Sequence, residues 1–398
     1  MSTLLLLTVG TGTAGKTSSL ADGLRKTIAL LAPRRFWLAP SASPDSTAMA
    51  DLVREGNDAF APASATDSYF TLPQPDDLDG CRRILRAAIA AIRDGLLPGE
   101  RLILNPTSGT KQMTAAAVLA ALDEGVGDIV FTTGDRADGV VVTGTERLTF
   151  FDPSGYFRER DLATARDLFD AGAFCAAARV LRPHAASLPK APSLCQVMHH
   201  WQRFAYADAV TAASGHWEYL RALLAQRAQH VVTGAASLPV LADVLAWADH
   251  GLRLGESADC LTLAYKALEL AARFALAQDL GLAPSRRSGR FDVAAVRALA
   301  RCRETDARLE KLARDGEVAL GLSVAMQLLA ENAHPLGCAF AEDNQLVRLT
   351  FVRNESVHDI RPPDMAEAQA FLDRVRNLLA ASLPRLPSVV LPREMPDA

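Results

Sequence analysis

Near the C-terminus, Arg353, Asn354 and His358 stand within LVRLTFVRNESVHDIRPP as an R-N-x-x-x-H series. Histidine exchanges a proton close to neutral pH, and arginine is a permanent cation whose planar fork of donors matches oxyanions. The two residue types together suit acid–base work on a reaction that builds negative charge. The apolar spacing around them predicts a late helix, Asn344–Val357, on which residues five apart point about 140° from one another. One such helix presents Arg353 and His358 poorly to a single group, whereas two of them across a two-fold axis bring the pair together. Asn354 and His358, four apart, share a face. The plainer alternative pairs Arg353 with Glu355 or Asp359 on a solvated face.

Two glycine-rich turns form a second set. Gly10-Thr-Gly-Thr-Ala-Gly15-Lys16-Thr17 matches G-x-x-x-x-G-K-[ST] in full and follows the apolar run Thr3–Val9. Successive backbone N–H groups at such a turn, with the helix start behind them, cradle anions. Taken alone, the match describes a nucleotide triphosphatase. That chemistry also wants an apolar strand ending in Asp to hold magnesium. Here RLILN ends in Asn105, and IVFTTGD reaches Asp135 only after two threonines and a glycine. A tight strand–helix turn that needs glycine for its backbone is the plain alternative. The second turn, Asn105-Pro106-Thr107-Ser108-Gly109-Thr110-Lys111, opens another helix and carries one of only six lysines. Two such turns at strand ends of one sheet frame an anion- and nucleobase-sized crevice.

The elements that position these turns alternate. Thr3–Val9, RRFWLAP, YFTLP, Glu100–Asn105 and Asp128–Gly134 read as strands, with helices over Ser18–Leu31, Cys81–Arg93 and Gln112–Leu122 between them. GVVVTGTERLTFF reads as a closing hairpin-like pair. The pattern predicts a doubly wound, Rossmann-like α/β domain over residues 1–152. From Leu162 onward strands are expected to vanish. A helical linker domain over 153–255 carries a helical hairpin split at Asp170–Gly172, then helices at Leu194–Ala213, Trp217–Ala225 and Leu238–Leu254. An all-α bundle over 256–384 and a Pro-rich, non-helical tail over 385–398 complete the chain.

Composition excludes several classes. In 398 residues, 49% hydrophobic and 22% charged content rules out wholesale disorder. A net charge of −4 provides no global basic field for duplex DNA or an anionic membrane, so any nucleic acid is held locally. No apolar stretch approaches the ~20 residues of a membrane span, and MSTLLLLTVGTG is too short for a signal peptide. The expected location is the cytoplasm, with Cys81, Cys175, Cys195, Cys260, Cys302 and Cys338 as buried, reduced thiols. His199-His200-Trp201 offers no carboxylate at i+3 or i+4 and is read as surface or packing, its adjacent rings diverging. His334, before a proline, is read as a helix cap. No metal ligand set and no cofactor are expected.

The motifs, taken in order, resemble a known family. TVGTG together with NPTSGTKQM is similar to the CARF sensor domain of type III CRISPR ancillary proteins. The resemblance implies a Rossmann-like domain that dimerises and binds a cyclic oligoadenylate, tetra- or hexa-adenylate, across the dimer axis. It assigns ligand contacts to Gly10, Thr11 and Gly12, and to Asn105, Thr107, Ser108, Gly109, Thr110 and Lys111. Ser108 is a departure, since the family often has glycine there. Arg353, Asn354 and His358 resemble the HEPN ribonuclease motif, and Asp259–Leu276 the opening helix of that domain. Asp359, where the family frequently has glycine, is a second departure, expected to shift His358 or weaken activity. The resemblance implies a homodimeric, ligand-activated, metal-independent endoribonuclease cutting single-stranded RNA in antiviral defence. Two other readings stand beside it: a P-loop NTPase with helical interaction domains, and a non-catalytic CARF sensor or regulator. Magnesium-dependent nucleotide hydrolysis separates the first of these, and RNA cleavage on adding ligand separates the second.

Overall fold

The computed structural model describes residues 2–11, 17–137, 140–142, 144–233, 237–285, 288–358 and 363–396. The chain forms two compact units, Met1–Asp161 and Leu162–Ala398.

The first unit is an α/β sheet. β1 (Ser2–Val9) is followed by α1 (Thr17–Leu31), β2 (Arg35–Pro40), α2 (Pro44–Arg54), α3 (Leu78–Asp94), β3 (Glu100–Asn105), α4 (Lys111–Asp123) and β4 (Asp128–Thr133). Two-residue strands β5 (Arg136–Ala137) and β6 (Val140–Val141) then precede β7 (Arg147–Phe151), and α5 (Ser154–Asp170) follows. The sheet order is β2-β1-β3-β4-β7, parallel except for the antiparallel edge β7. β1 carries the unbroken apolar run Leu4–Leu7 because both of its faces are covered. Leu4 and Leu6 pack with Leu85, Ile89 and Ala117 of α3 and α4, while Leu5, Leu7 and Val9 pack with Leu24, Ile28 and Met49 of α1 and α2.

Two local expectations differ from the structure. YFTLP contributes a single bridge, Ser41 to Leu72, because Pro73 ends the run and brings no N–H. GVVVTGTERLTFF does not pair with itself: Val140–Val141 pairs back on Arg136–Ala137, and Arg147–Phe151 pairs with β4. Helix α2 has no counterpart among the expected elements because its buried face, Ser46, Met49, Ala50 and Val53, keeps helical spacing but dilutes it with small residues.

The second unit is helical: α6 (Phe174–Leu181), α7 (Lys190–Gln202), α8 (Tyr206–Ala212), α9 (Glu218–Thr233), α10 (Leu238–Arg253), α11 (Ser257–Gln278), α12 (Val293–Leu299), α13 (Arg303–Leu312), α14 (Leu322–Glu331), α15 (Pro335–Glu342), α16 (Asn344–His358) and α17 (Met365–Ser382). The helix expected over Leu194–Ala213 breaks at Phe204, which has a positive φ of 56°. Strands do not vanish entirely, since β8 (Phe291–Asp292) and β9 (Glu317–Val318) pair and bury Phe291 and Val318 in the bundle. Two apolar cores result. One gathers Phe169, Phe174, Trp201 and Tyr206, and Leu391 and Met395 of the Pro-rich tail are buried in it. The other surrounds α11, whose Ala264, Ala267, Ala271 and Ala275 let neighbouring helices approach closely. Leu346, Leu349 and Val352 anchor α16 to that core. Of the six cysteines, which are all free, Cys81, Cys195 and Cys260 are buried, whereas Cys175 is exposed and Cys302 and Cys338 are half-buried, against the expectation that all were buried. His334 caps α15 as read, its Nδ1 accepting from the Leu336 amide at 3.1 Å.

Candidate functional site

In the first unit, the turns after β1 and β3 meet. The parallel register sets Leu7 beside Asn105, so the two turns leave the sheet at the same end. The Gly10 amide donates to Ser108 Oγ at 3.1 Å. A side chain on Gly10 would begin 2.4 Å from the Gly109 Cα, and Gly109 itself has a φ of +131°. Both positions therefore require glycine, one for the close approach and one for the backbone conformation. Ser108, the departure from the family's glycine, supplies the hydroxyl that ties the turns together.

The other polar side chains of the second turn build its shape. Asn105 is buried; its Nδ2 donates to Thr132 Oγ1 at 3.0 Å and its Oδ1 accepts from the Thr107 amide at 3.0 Å. Thr107 Oγ1 accepts from the Thr132 amide at 2.8 Å. Thr110 caps α4 by accepting from the Met113 amide at 3.1 Å, and it donates to the Pro75 carbonyl at 2.7 Å. Gly109 and Lys111 are exposed and Thr11 is half-buried, with Lys111 as the first residue of α4. A helix start, an exposed lysine and an exposed glycine backbone thus lie together at the second turn, a combination suited to phosphate. Gly12, with Thr13 to Lys16 of the P-loop match, lies outside the described residues. Thr132 is the residue that sequence reading missed. It bonds Asn105, Thr107 and Thr27, and no spacing in the chain links it to the turn.

In the second unit, Arg353 lies on α16 and is half-buried, with its guanidinium carbon 4.4 Å from the centroid of the Tyr265 ring on α11. Such a cation–π stack engages the face of the guanidinium, and its N–H donors point outward in the plane. Burial foremost, with Glu269 adding, holds the Tyr265 hydroxyl in its protonated form, while Arg353 works the other way. Asn354 and His358 lie within the helical span of α16, but their side chains, like Glu355 and all of Asp359, fall outside the described residues. Tyr265 sits inside the Asp259–Leu276 stretch but carried no signal of its own there, because an aromatic at helical spacing reads first as core.

A cavity of about 230 Å³ opens where α10 meets α11, lined by Trp247, His250, Gly251, Glu256, Asp259 and Thr262 among others. His250 Nδ1 accepts from the Arg253 guanidinium at 3.1 Å. Burial, with Arg253 adding, lowers its pKa to about 4. The His199 and His200 rings, expected to diverge, lie 5.2 Å apart. Among the described residues, no group of three or more His, Cys, Asp or Glu side chains is placed to hold a metal ion. No helix among them is long and apolar enough to cross a membrane.

An α/β unit with two glycine turns at its strand ends, followed by a helical unit bearing R-N-x-x-x-H, defines a CARF–HEPN architecture. Residues 231–382 match the family model of the Csm6 HEPN domain, which takes in both α11 and α16. The structure of Enterococcus italicus Csm6 bound to cyclic hexa-2′-fluoro-hexa-dAMP has a similar fold. The TM-score is 0.65 at 12% identity, over 97% of this chain and 96% of that one. No curated protein sequence matches. Residues 231–382 thus carry a HEPN domain of the Csm6 kind, and the chain as a whole shares the fold of a CARF–HEPN protein.

Proposed function

We propose that this protein is a homodimeric endoribonuclease that cuts single-stranded RNA without a metal when a cyclic oligoadenylate binds its α/β unit. The observation that carries the reading is that one match to the Csm6 HEPN model spans both the helix bearing R-N-x-x-x-H and the helix on which Arg353 stacks. RNA brings its own nucleophile, the 2′-OH, next to the scissile phosphate. His358 takes the 2′-OH proton as oxygen attacks phosphorus, or gives a proton to the 5′-oxygen as the P–O5′ bond breaks. Arg353 offsets the charge on the five-coordinate phosphorus. Because Arg353 and His358 are poorly aligned on one helix, the second copy completes the site. In the sensor, Gly10, Thr11, Gly12, Gly109 and Lys111 receive the ligand's phosphates on a frame built by Asn105, Thr107, Ser108 and Thr110. The bound cyclic nucleotide of the Enterococcus protein supports this ligand class. The work takes place in the cytoplasm, where antiviral RNA cleavage is needed.

The test is cleavage of a labelled single-stranded RNA with cyclic tetra- and hexa-adenylate, each with and without EDTA. Ligand-dependent products ending in 2′,3′-cyclic phosphate and 5′-OH are expected. Magnesium-dependent ATP hydrolysis with no RNA cleavage would return the P-loop reading.

A further inference from the structure

Helix α16 carries more than its R-N-x-x-x-H series. Phe351 is 59% exposed, one of the most exposed large apolar side chains of the helical unit. Three residues earlier, Arg348 is exposed, and no ion pair of it occurs among the described residues. Leu346 and Leu349, on the opposite side of the helix, and Val352, next to Arg348 around it, are committed to the core. Helical geometry turns position 358 only about 20° from Phe351 and sets it about 10.5 Å further along the axis. Arg348 lies about 4.5 Å from Phe351 in the other direction and within about 60° of it. A cation with no ion pair among the described residues, an exposed aromatic ring and helix position 358 therefore follow one another along one side of α16.

We infer that Phe351 and Arg348 form a substrate-binding stripe for single-stranded RNA, in which Phe351 stacks on a base flanking the cut and Arg348 meets a backbone phosphate. The inference rests on the ribonuclease reading and adds the residues that hold the substrate. An aromatic ring beside a cation matches a chain that alternates flat bases with negative phosphates, and base–aromatic stacking tolerates any sequence.

The experiment compares wild type with Phe351→Ala, Phe351→Trp and Arg348→Gln in the full-length, ligand-activated protein. Initial rates on a fluorescein-labelled RNA 12-mer give KM and kcat, and anisotropy with the 2′-O-methylated 12-mer gives affinity without turnover. Phe351→Ala is expected to raise KM and weaken 12-mer binding about tenfold, with kcat changing less than about twofold, while Phe351→Trp stays near wild type. Arg348→Gln is expected to lower the salt dependence of binding by about 0.7 in log–log slope. Unchanged 12-mer affinity in Phe351→Ala overturns the inference. So does a Phe351→Ala protein that sediments as a smaller species, because the ring is then an interface between copies. If wild type binds the 12-mer through Phe351 but cuts no RNA under any ligand, the stripe is an RNA-binding surface only and it is the ribonuclease reading that falls.

Discussion

The Arg353 guanidinium lies over the Tyr265 ring, 4.4 Å from its centroid. The cation marked for chemistry on α16 is thus held by a residue of α11 that no motif contains. A stacked guanidinium keeps one plane, which fixes where its N–H donors point.

Tyr265→Ala should therefore lower kcat about tenfold while KM changes little, and Tyr265→Phe should restore wild-type rates because the stack needs the ring and not the hydroxyl. Steady-state kinetics on single-stranded RNA check both variants. Equal kcat in all three proteins would mean that the stack only packs the bundle.

His358→Ala should reduce RNA cleavage by about 10²–10⁴-fold, with dimerisation and cyclic-oligoadenylate affinity close to wild type. Cleavage by the wild-type protein should continue in excess EDTA, and an RNA carrying a 2′-deoxy sugar at the cut should resist. EDTA-sensitive cutting that leaves 5′-phosphates would assign the chemistry to metal ions and remove His358 from it.

The two turns of the sensor should respond differently to substitution. Gly10→Ala places a carbon 2.4 Å from the Gly109 Cα and should open the crevice, weakening cyclic-oligoadenylate binding along with Lys111→Ala. Ser108→Gly removes one cross-turn bond and should lower stability by only about 0.5–1.5 kcal/mol. Lys16→Ala should matter less than Lys111→Ala. Titration calorimetry ranks the four; a silent Lys111→Ala beside a Lys16→Ala that loses ATP hydrolysis would favour the NTPase.

His250 should make the helical unit sensitive to acid. Its pKa falls from 6.5 to about 4, chiefly through burial, with Arg253 adding and Asp249 opposing; Glu256 and Asp259 line the adjoining cavity. The folded form resists a proton that the unfolded chain accepts, so the contribution is intact above pH 6.5 and is lost as pH falls toward 4. Thermal melts across that window should show a shallower decline for His250→Phe than for wild type. Parallel declines would mean that His250 titrates alike in both states.

The α/β and helical halves were legible because their signals are local. The apolar run of β1 marks a strand covered on both faces, and the spacing of Leu346, Leu349 and Val352 marks the buried side of α16. Both glycine turns and the R-N-x-x-x-H series could be read for the same reason, since each is a contiguous string whose chemistry follows from residue type. The remainder depends on contacts between distant residues. Thr132 reaches Asn105 and Thr107 only through strand pairing, and the tail's Met395 is buried beside Cys195 only once the helices have packed. Arg353 and Tyr265 are 88 positions apart in the chain, and neither carries a pattern that names the other. Residue types and their spacing were enough to propose a phosphate cradle and an acid–base pair. Which side chains shape the cradle and which ring orients the arginine were settled by packing, because side-chain hydrogen bonds and ring stacking act over a few ångströms in space and leave no period in the sequence.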